Sequence, residues 1–171
     1  AFAMPLSFAK NVAVSSFYTY GTTQLYDQKT NNWTRTETTK SIDFPQIPDA
    51  YLDGMLEDLH KKLTVTLTAV TGSNIMPVTA VPSAPSYSNT IKFMPGEVNN
   101  DGEFLKVYKD LKPVKTLSSV SNMYYGESAL LKDVKADALL KVSLACALSW
   151  DKKPTMTPYL TIELVGISNG D

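Results

Sequence analysis

The chain has 171 residues, 43% of them hydrophobic, with 16 Lys and Arg against 17 Asp and Glu for a formal net charge of −1. That length and apolar fraction suit one globular domain, taken as residues 1–171, and exclude a disordered or fibrous class. The near-neutral balance excludes the basic footprint of a nucleic-acid binder. No apolar run approaches the ~20 residues that cross a bilayer, and the one cysteine, Cys146, excludes an internal disulfide, a Cys-rich zinc site or a CxxC pair.

Ala1-Phe2-Ala3-Met4-Pro5-Leu6 suits equally the mature start that follows a signal peptide and an arbitrary cut in a longer chain, and a lipidated cysteine would stand just ahead of a mature start. The first strand is expected over Asn11–Tyr20, ended by Gly21, with Val12, Val14 and Ser16 on one face and Ala13, Ser15 and Phe17 on the other. A hairpin insertion follows at about 22–40: Gln24–Asp27, a polar turn over Gln28–Asn32, and Trp33–Thr38.

Phe44-Pro45-Gln46-Ile47-Pro48 breaks the chain and leads into the longest helix. Pro48 stands near its first turn, Asp49, Asp53, Glu57 and Asp58 favour its positive end, and Gly72 is its stop. Leu52, Met55, Leu56, Leu59, Leu63, Leu67 and Val70 form one apolar stripe meant for a sheet. Asn74–Val81 reads as a second core strand, placed at an edge or with a bulge because Pro77 lacks a ladder donor. Strand, helix, strand makes a βαβ unit with a right-handed crossover.

The middle, about 82–122, is irregular. Within it Asp101 is expected to cap a helix with Phe104, Val107, Tyr108 and Leu111 inward, ended by Pro113. Gly126–Lys135 suits a short helix, Ala136-Asp137-Ala138 turns into an alternating run from Leu139 to Trp150, and a second run, Thr157–Ile167, returns beside it. The fold class is therefore α/β (α+β): a single mixed sheet with helices packed on it in the order β-α-β-α-β-β, plus the inserted hairpin.

Motifs for chemistry are sparse. GxGxxG, Walker A, HExxH and GxSxG patterns are absent, and neither a catalytic, a cofactor-binding nor a metal-ligating residue is assigned. His60, the only histidine, sits mid-helix at the boundary of the apolar stripe, and Cys146 lies within a strand as an inert core thiol. A hydrolase built on the two would need an exposed thiolate and a third, orienting group. Glu97–Gly102 imitates a calcium loop, but position one is Glu and position twelve falls on Tyr108, so a turn and a helix cap explain it better. Lys106, Lys109, Lys112 and Lys115 recur every three residues and read as a solvated helix face, with a phosphate or anionic-lipid patch as the alternative. Asn32-Trp33-Thr34 is a formal glycosylation sequon.

The aromatics Phe17, Tyr18, Tyr20, Tyr26 and Trp33 cluster in sequence. Tyr20, Tyr26 and Trp33 are the protein-interaction candidates, placed on an extension away from the core, because Tyr and Trp bury much area for few rotatable bonds. The alternative is a satellite core that pins the hairpin down, and Tyr124 and Tyr125 face the same choice.

Asn11-Val12-Ala13-Val14-Ser15-Ser16-Phe17 as an opening strand, and Lys135-Ala136-Asp137-Ala138-Leu139-Leu140-Lys141-Val142 as a helix-to-strand turn, resemble a group of bacterial envelope domains. The group comprises the N-terminal domain of TolB and periplasmic lipoproteins of the PelC, LpoB and CsgG type. There the Asp is a turn and cap residue, and the position of Lys135 is a glycine. The resemblance implies a non-enzymatic periplasmic or outer-membrane-associated module, often lipid-anchored, that self-associates or docks on a protein partner. The rival expectation is a carbohydrate- or small-ligand-binding module that uses exposed aromatics as stacking platforms.

Overall fold

The structure, a computed structural model, describes residues 9–31, 33–43, 46–90, 102–114, 124–150 and 153–166. It is an α/β fold built on one mixed sheet. The central strand, β1 (Asn11–Thr22), lies parallel to β6 (Ala138–Trp150), and β7 (Pro154–Gly166) returns antiparallel to β6. On its other side β1 meets two short strands in succession: β4 (Asn74–Ile75), parallel at Asn11–Val12, and β5 (Glu103–Val107), antiparallel at Tyr18–Thr22. A separate antiparallel ribbon joins β2 (Gln24–Asn31) to β3 (Thr36–Asp43).

β1 is the most enclosed element, with Val12 through Thr19 all buried. Its small polar residues find backbone partners. Ser16 Oγ donates to the Lys112 carbonyl (3.0 Å) and accepts the Val114 N–H (3.1 Å), and Thr19 Oγ1 donates to the Leu144 carbonyl (2.9 Å). The register against β6 shifts between Val14 and Ser16. That bulge swaps the alternation read from the sequence, so Phe17 joins Val12 and Val14 on one face while Ser16 faces the other way.

Two helices cover the sheet from opposite sides. α1 (Asp49–Thr71) starts after Pro48 at its N-cap and stops where Gly72 takes the left-handed conformation (φ 71°) and returns its N–H to the Thr68 carbonyl (3.0 Å). Leu52 and Leu56 are buried, and Leu59, Leu63 and Leu67 pack against the core at its margin. Val70, expected on the stripe, is 75% exposed because the helix runs on past the sheet it covers. α2 (Tyr124–Val134) lies across the other face. Lys141 precedes Val142, the register partner of Phe17, so their side chains point to opposite faces. Phe17 meets α1 through His60, and Lys141 meets α2 through Glu127.

The turn from α2 into β6 is fastened to the start of β1. Lys135 takes a left-handed φ of 57°, Asp137 N–H donates to the Asn11 carbonyl (2.8 Å), and the Asp137 carboxylate accepts the Asn11 N–H (2.8 Å). Asp137 therefore closes the parallel pair at its open end.

Several expectations are corrected. The stretch 103–107 is a strand and not the expected helix: the free edge of β1 takes up its backbone groups, and left-handed Lys109 (φ 44°) and Asp110 (φ 65°) turn the chain before Pro113. The core strand expected over 74–81 shrinks to Asn74–Ile75, since Pro77 interrupts pairing and Val78–Ala80 winds into a 3-10 turn, followed by another at Pro85–Asn89. β1 runs through Gly21 to Thr22. Gly21 serves a close approach there, because a Cβ would stand 2.5 Å from the Cys146 carbonyl oxygen. The hairpin strands are longer than expected, and the turn moves to Trp33–Arg35, where Arg35 has φ 51°. The cap at Asp101 and the end of the last run at Ile167 lie outside the described residues.

Candidate interaction surface

β7 forms one end of the sheet among the described residues, with β6 as its neighbour. Its register sets Met156 opposite Leu148, Leu160 opposite Leu144, Ile162 opposite Val142 and Leu164 opposite Leu140. These four side chains share the face on which α1 lies. α1, however, packs against β1, β4 and β5, toward the opposite edge. The stripe of Met156, Leu160, Ile162 and Leu164 therefore remains 37–45% exposed, and Tyr159 on the other face is 59% exposed. These exposed apolar side chains adjoin one another along one face of β7, with no helix over them among the described residues.

The sequence carried this signal in the alternation Leu160, Ile162, Leu164. By itself the pattern specifies only a paired strand, because periodicity shows which residues share a face and not whether a helix covers it.

The three aromatics chosen from the sequence are not brought together. Tyr20 lies within the main sheet on β1, half-buried, with its ring 5.7 Å from that of Tyr18, so it is not on an extension. Tyr26 lies on β2 opposite Ser41. Trp33 sits in the hairpin turn and is 98% exposed. Five residues of strand from Tyr26 to Asn31, roughly 17 Å, and then the turn separate Trp33 from Tyr26. The base of the ribbon is held to the sheet where the Gly102 carbonyl accepts the hydroxyls of Thr22 (3.1 Å) and Thr23 (3.0 Å).

A second cluster gathers under α1. The His60 ring stands 5.6 Å from Phe17 and 5.0 Å from Tyr108, and its Nε2 is buried without a hydrogen-bond partner. Burial pushes His60 below the usual imidazole range, against the pull of Glu57. Tyr108 Oη donates to Glu57 (2.8 Å), and Lys109 pairs with the same carboxylate (3.3 Å). These two hydrogen bonds hold Glu57 below the ordinary carboxylate range. The lysine series is no helix face: Lys106 on β5 pairs with Asp49 (3.2 Å) and Asp53 (3.1 Å) of α1, Lys109 pairs with Glu57, and Lys115 lies outside the described residues.

On the other side of the sheet Lys141 and Glu127, 6% and 8% exposed, form a buried ion pair. It fixes the first turn of α2 against β6.

The Cys146–His60 pair does not assemble. Cys146 is buried opposite Gly21 with its sulfur 3.8 Å from Thr19 Oγ1, while His60 lies over Phe17. Four residues of strand, roughly 13 Å, separate those positions. Of the calcium-like segment, Glu97–Asp101 and the sequon residue Asn32 lie outside the described residues, and Tyr108 is engaged by Glu57. Among the described residues no group of three His, Cys, Asp or Glu could hold a metal ion, and no helix is long and apolar enough to cross a membrane. Compared with known proteins, the chain matches no family model, no curated protein and no solved structure.

Proposed function

We propose that this chain is a non-enzymatic interaction or assembly module, and that the exposed apolar face of β7 is its docking surface. The observation that carries the reading is the open stripe of Met156, Leu160, Ile162 and Leu164 beside a strand, β6, whose first half is buried on both faces. The separation of Cys146 from His60 also supports it, since a histidine-activated thiol needs both within hydrogen-bond reach. The bacterial envelope as its setting, periplasmic or outer-membrane associated and with a lipid anchor ahead of the domain, rests on the resemblance carried by residues 11–17 and 135–142. The glycan-binding alternative rests on Trp33 alone, since Tyr20 is engaged with Tyr18 inside the sheet.

The test immobilises the wild-type chain and a Leu160→Ser/Ile162→Ser variant and exposes each to a bacterial envelope extract. The expected result is that specific retention falls about tenfold or more in the variant while its melting temperature stays near that of the wild type. Equal retention by both overturns the reading. A saturable fluorescence change of wild-type protein on titration with a glycan panel, lost in Trp33→Ala, would replace it with the alternative.

A further inference from the structure

We infer that the partner of β7 is a second copy of the chain, joined by antiparallel β7–β7 pairing about a two-fold axis through Ile162. The inference rests on the docking role of β7 proposed above. It begins from the prolines. Pro154 and Pro158 lack an N–H, and a proline in a paired strand belongs where its nitrogen faces away from the neighbour. That sets the alternate residues Met156, Leu160, Ile162 and Leu164 with their backbone groups directed outward, away from β6. Proline is also a device that blunts an exposed edge against pairing. It is spent here on the first half of β7 alone, and 159–166 keeps its donors.

Within that open half the sequence is self-complementary. An axis at Ile162 pairs Ile162 with its own copy and Leu160 with Leu164 of the other copy, so the outward donors of all three residues find acceptors. On the opposite face the same register sets Tyr159 against Val165, an aromatic against a β-branched side chain, and Thr161 against Glu163. Glu163 is the only charged residue of β7. A hydroxyl opposite it is compatible, and the axis never brings the two Glu163 carboxylates directly opposite each other. Neighbouring registers fail. An axis at Glu163 opposes the like charges directly, and one at Thr161 draws Pro158 inside the ladder opposite Leu164, whereas an axis at Ile162 leaves Pro158 at the ladder's end opposite Gly166. Across the seam Ile162 packs against its copy and Leu160 against Leu164 of the other copy, which covers the flank of each exposed stripe, and two sheets become one.

The purified chain is measured by light scattering across a concentration series, beside Ile162→Lys. The expected result is twice the chain mass for the wild type and the chain mass for the variant, with the same far-ultraviolet dichroism. Single cysteines fix the register. Residues paired across antiparallel strands have Cα atoms about 5.5 Å apart, within the span of a disulfide. Ile162→Cys should therefore cross-link to its own copy under mild oxidation, whereas Thr155→Cys, about 46 Å from its copy in this register, should not. Buried Cys146 serves as the background. A wild type that stays monomeric throughout, or equal cross-linking at both positions, overturns the inference. A monomer whose retention of envelope proteins still depends on Leu160 and Ile162 overturns the second copy and leaves the docking role standing. Loss of both overturns the two together.

Discussion

β6 and β7 lie side by side over 13 residues each, and both alternate apolar and small or polar residues, yet they live in different environments. Ala138 to Val142 of β6 is buried without a break, while β7 has no buried residue among those whose side chains are described. The difference does not come from local pattern. β6 pairs with β1, which lies under α1, and packs against α2 itself, while β7 lies one strand further out. The first strand forms the centre of the molecule, and the last offers a surface.

The sharpest way to break this contrast is to disturb the buried pair. Lys141→Met leaves Glu127 without its cation and should cost ~3–5 kcal/mol in chemical denaturation, while Lys141→Met/Glu127→Leu should recover most of the loss. A double variant as unstable as the single would mean that packing, not charge, holds α2 there. Next come matched truncations on the two strands: Leu139→Ala should cost ~2–5 kcal/mol and Leu160→Ala under about 1 kcal/mol. Similar losses would show that β7 is covered after all. Gly21→Ala, which drives a Cβ toward the Cys146 carbonyl, should cost ~1–3 kcal/mol.

Smaller still is a pH effect. His60 has its folded-state pKa lowered by burial, so the unfolded chain binds the proton more tightly. Stability contributed by neutral His60 is present above the unfolded value of about 6.5 and is lost as pH falls below it. The facing groups are Glu57 and Tyr108 Oη, hydrogen-bonded to each other, and Lys109, with Phe17 supplying an apolar ring. The melting temperature should fall between about pH 7 and pH 5, and His60→Phe should flatten that part of the profile. The smallest effect belongs to the hairpin tip: Trp33→Ala should change stability by no more than about 0.5 kcal/mol, and a larger loss would mean that the tip is packed.

Much of the fold was legible where one signal dominates. Pro48 and Gly72 bracket α1, and the paired runs after Asp137 become β6 and β7. Legibility failed where tertiary context decides. Phe104, Val107, Tyr108 and Leu111 keep helical spacing, but the open edge of β1 offers that stretch a ladder, and five residues are enough to take it. The bulge near Ser15 left no mark that a period of two could reveal. The exposed stripe of β7 is hidden in the sequence for a related reason. Large aromatics stand out in a sequence, whereas the exposed stripe consists of methionine, leucine and isoleucine, indistinguishable from a core strand until the position of α1 is known.

The pairing of β1 with β6 has a temporal side. Val12 meets Ala138, so the centre of the sheet joins residues 126 positions apart in the chain. Such long-range closure slows folding, since the loop entropy must be met before the contacts reward it. During synthesis β1, buried on both faces in the fold, would wait for most of the chain to emerge before its principal neighbour existed. Residues 11–22 are therefore the segment that stays longest without its neighbour.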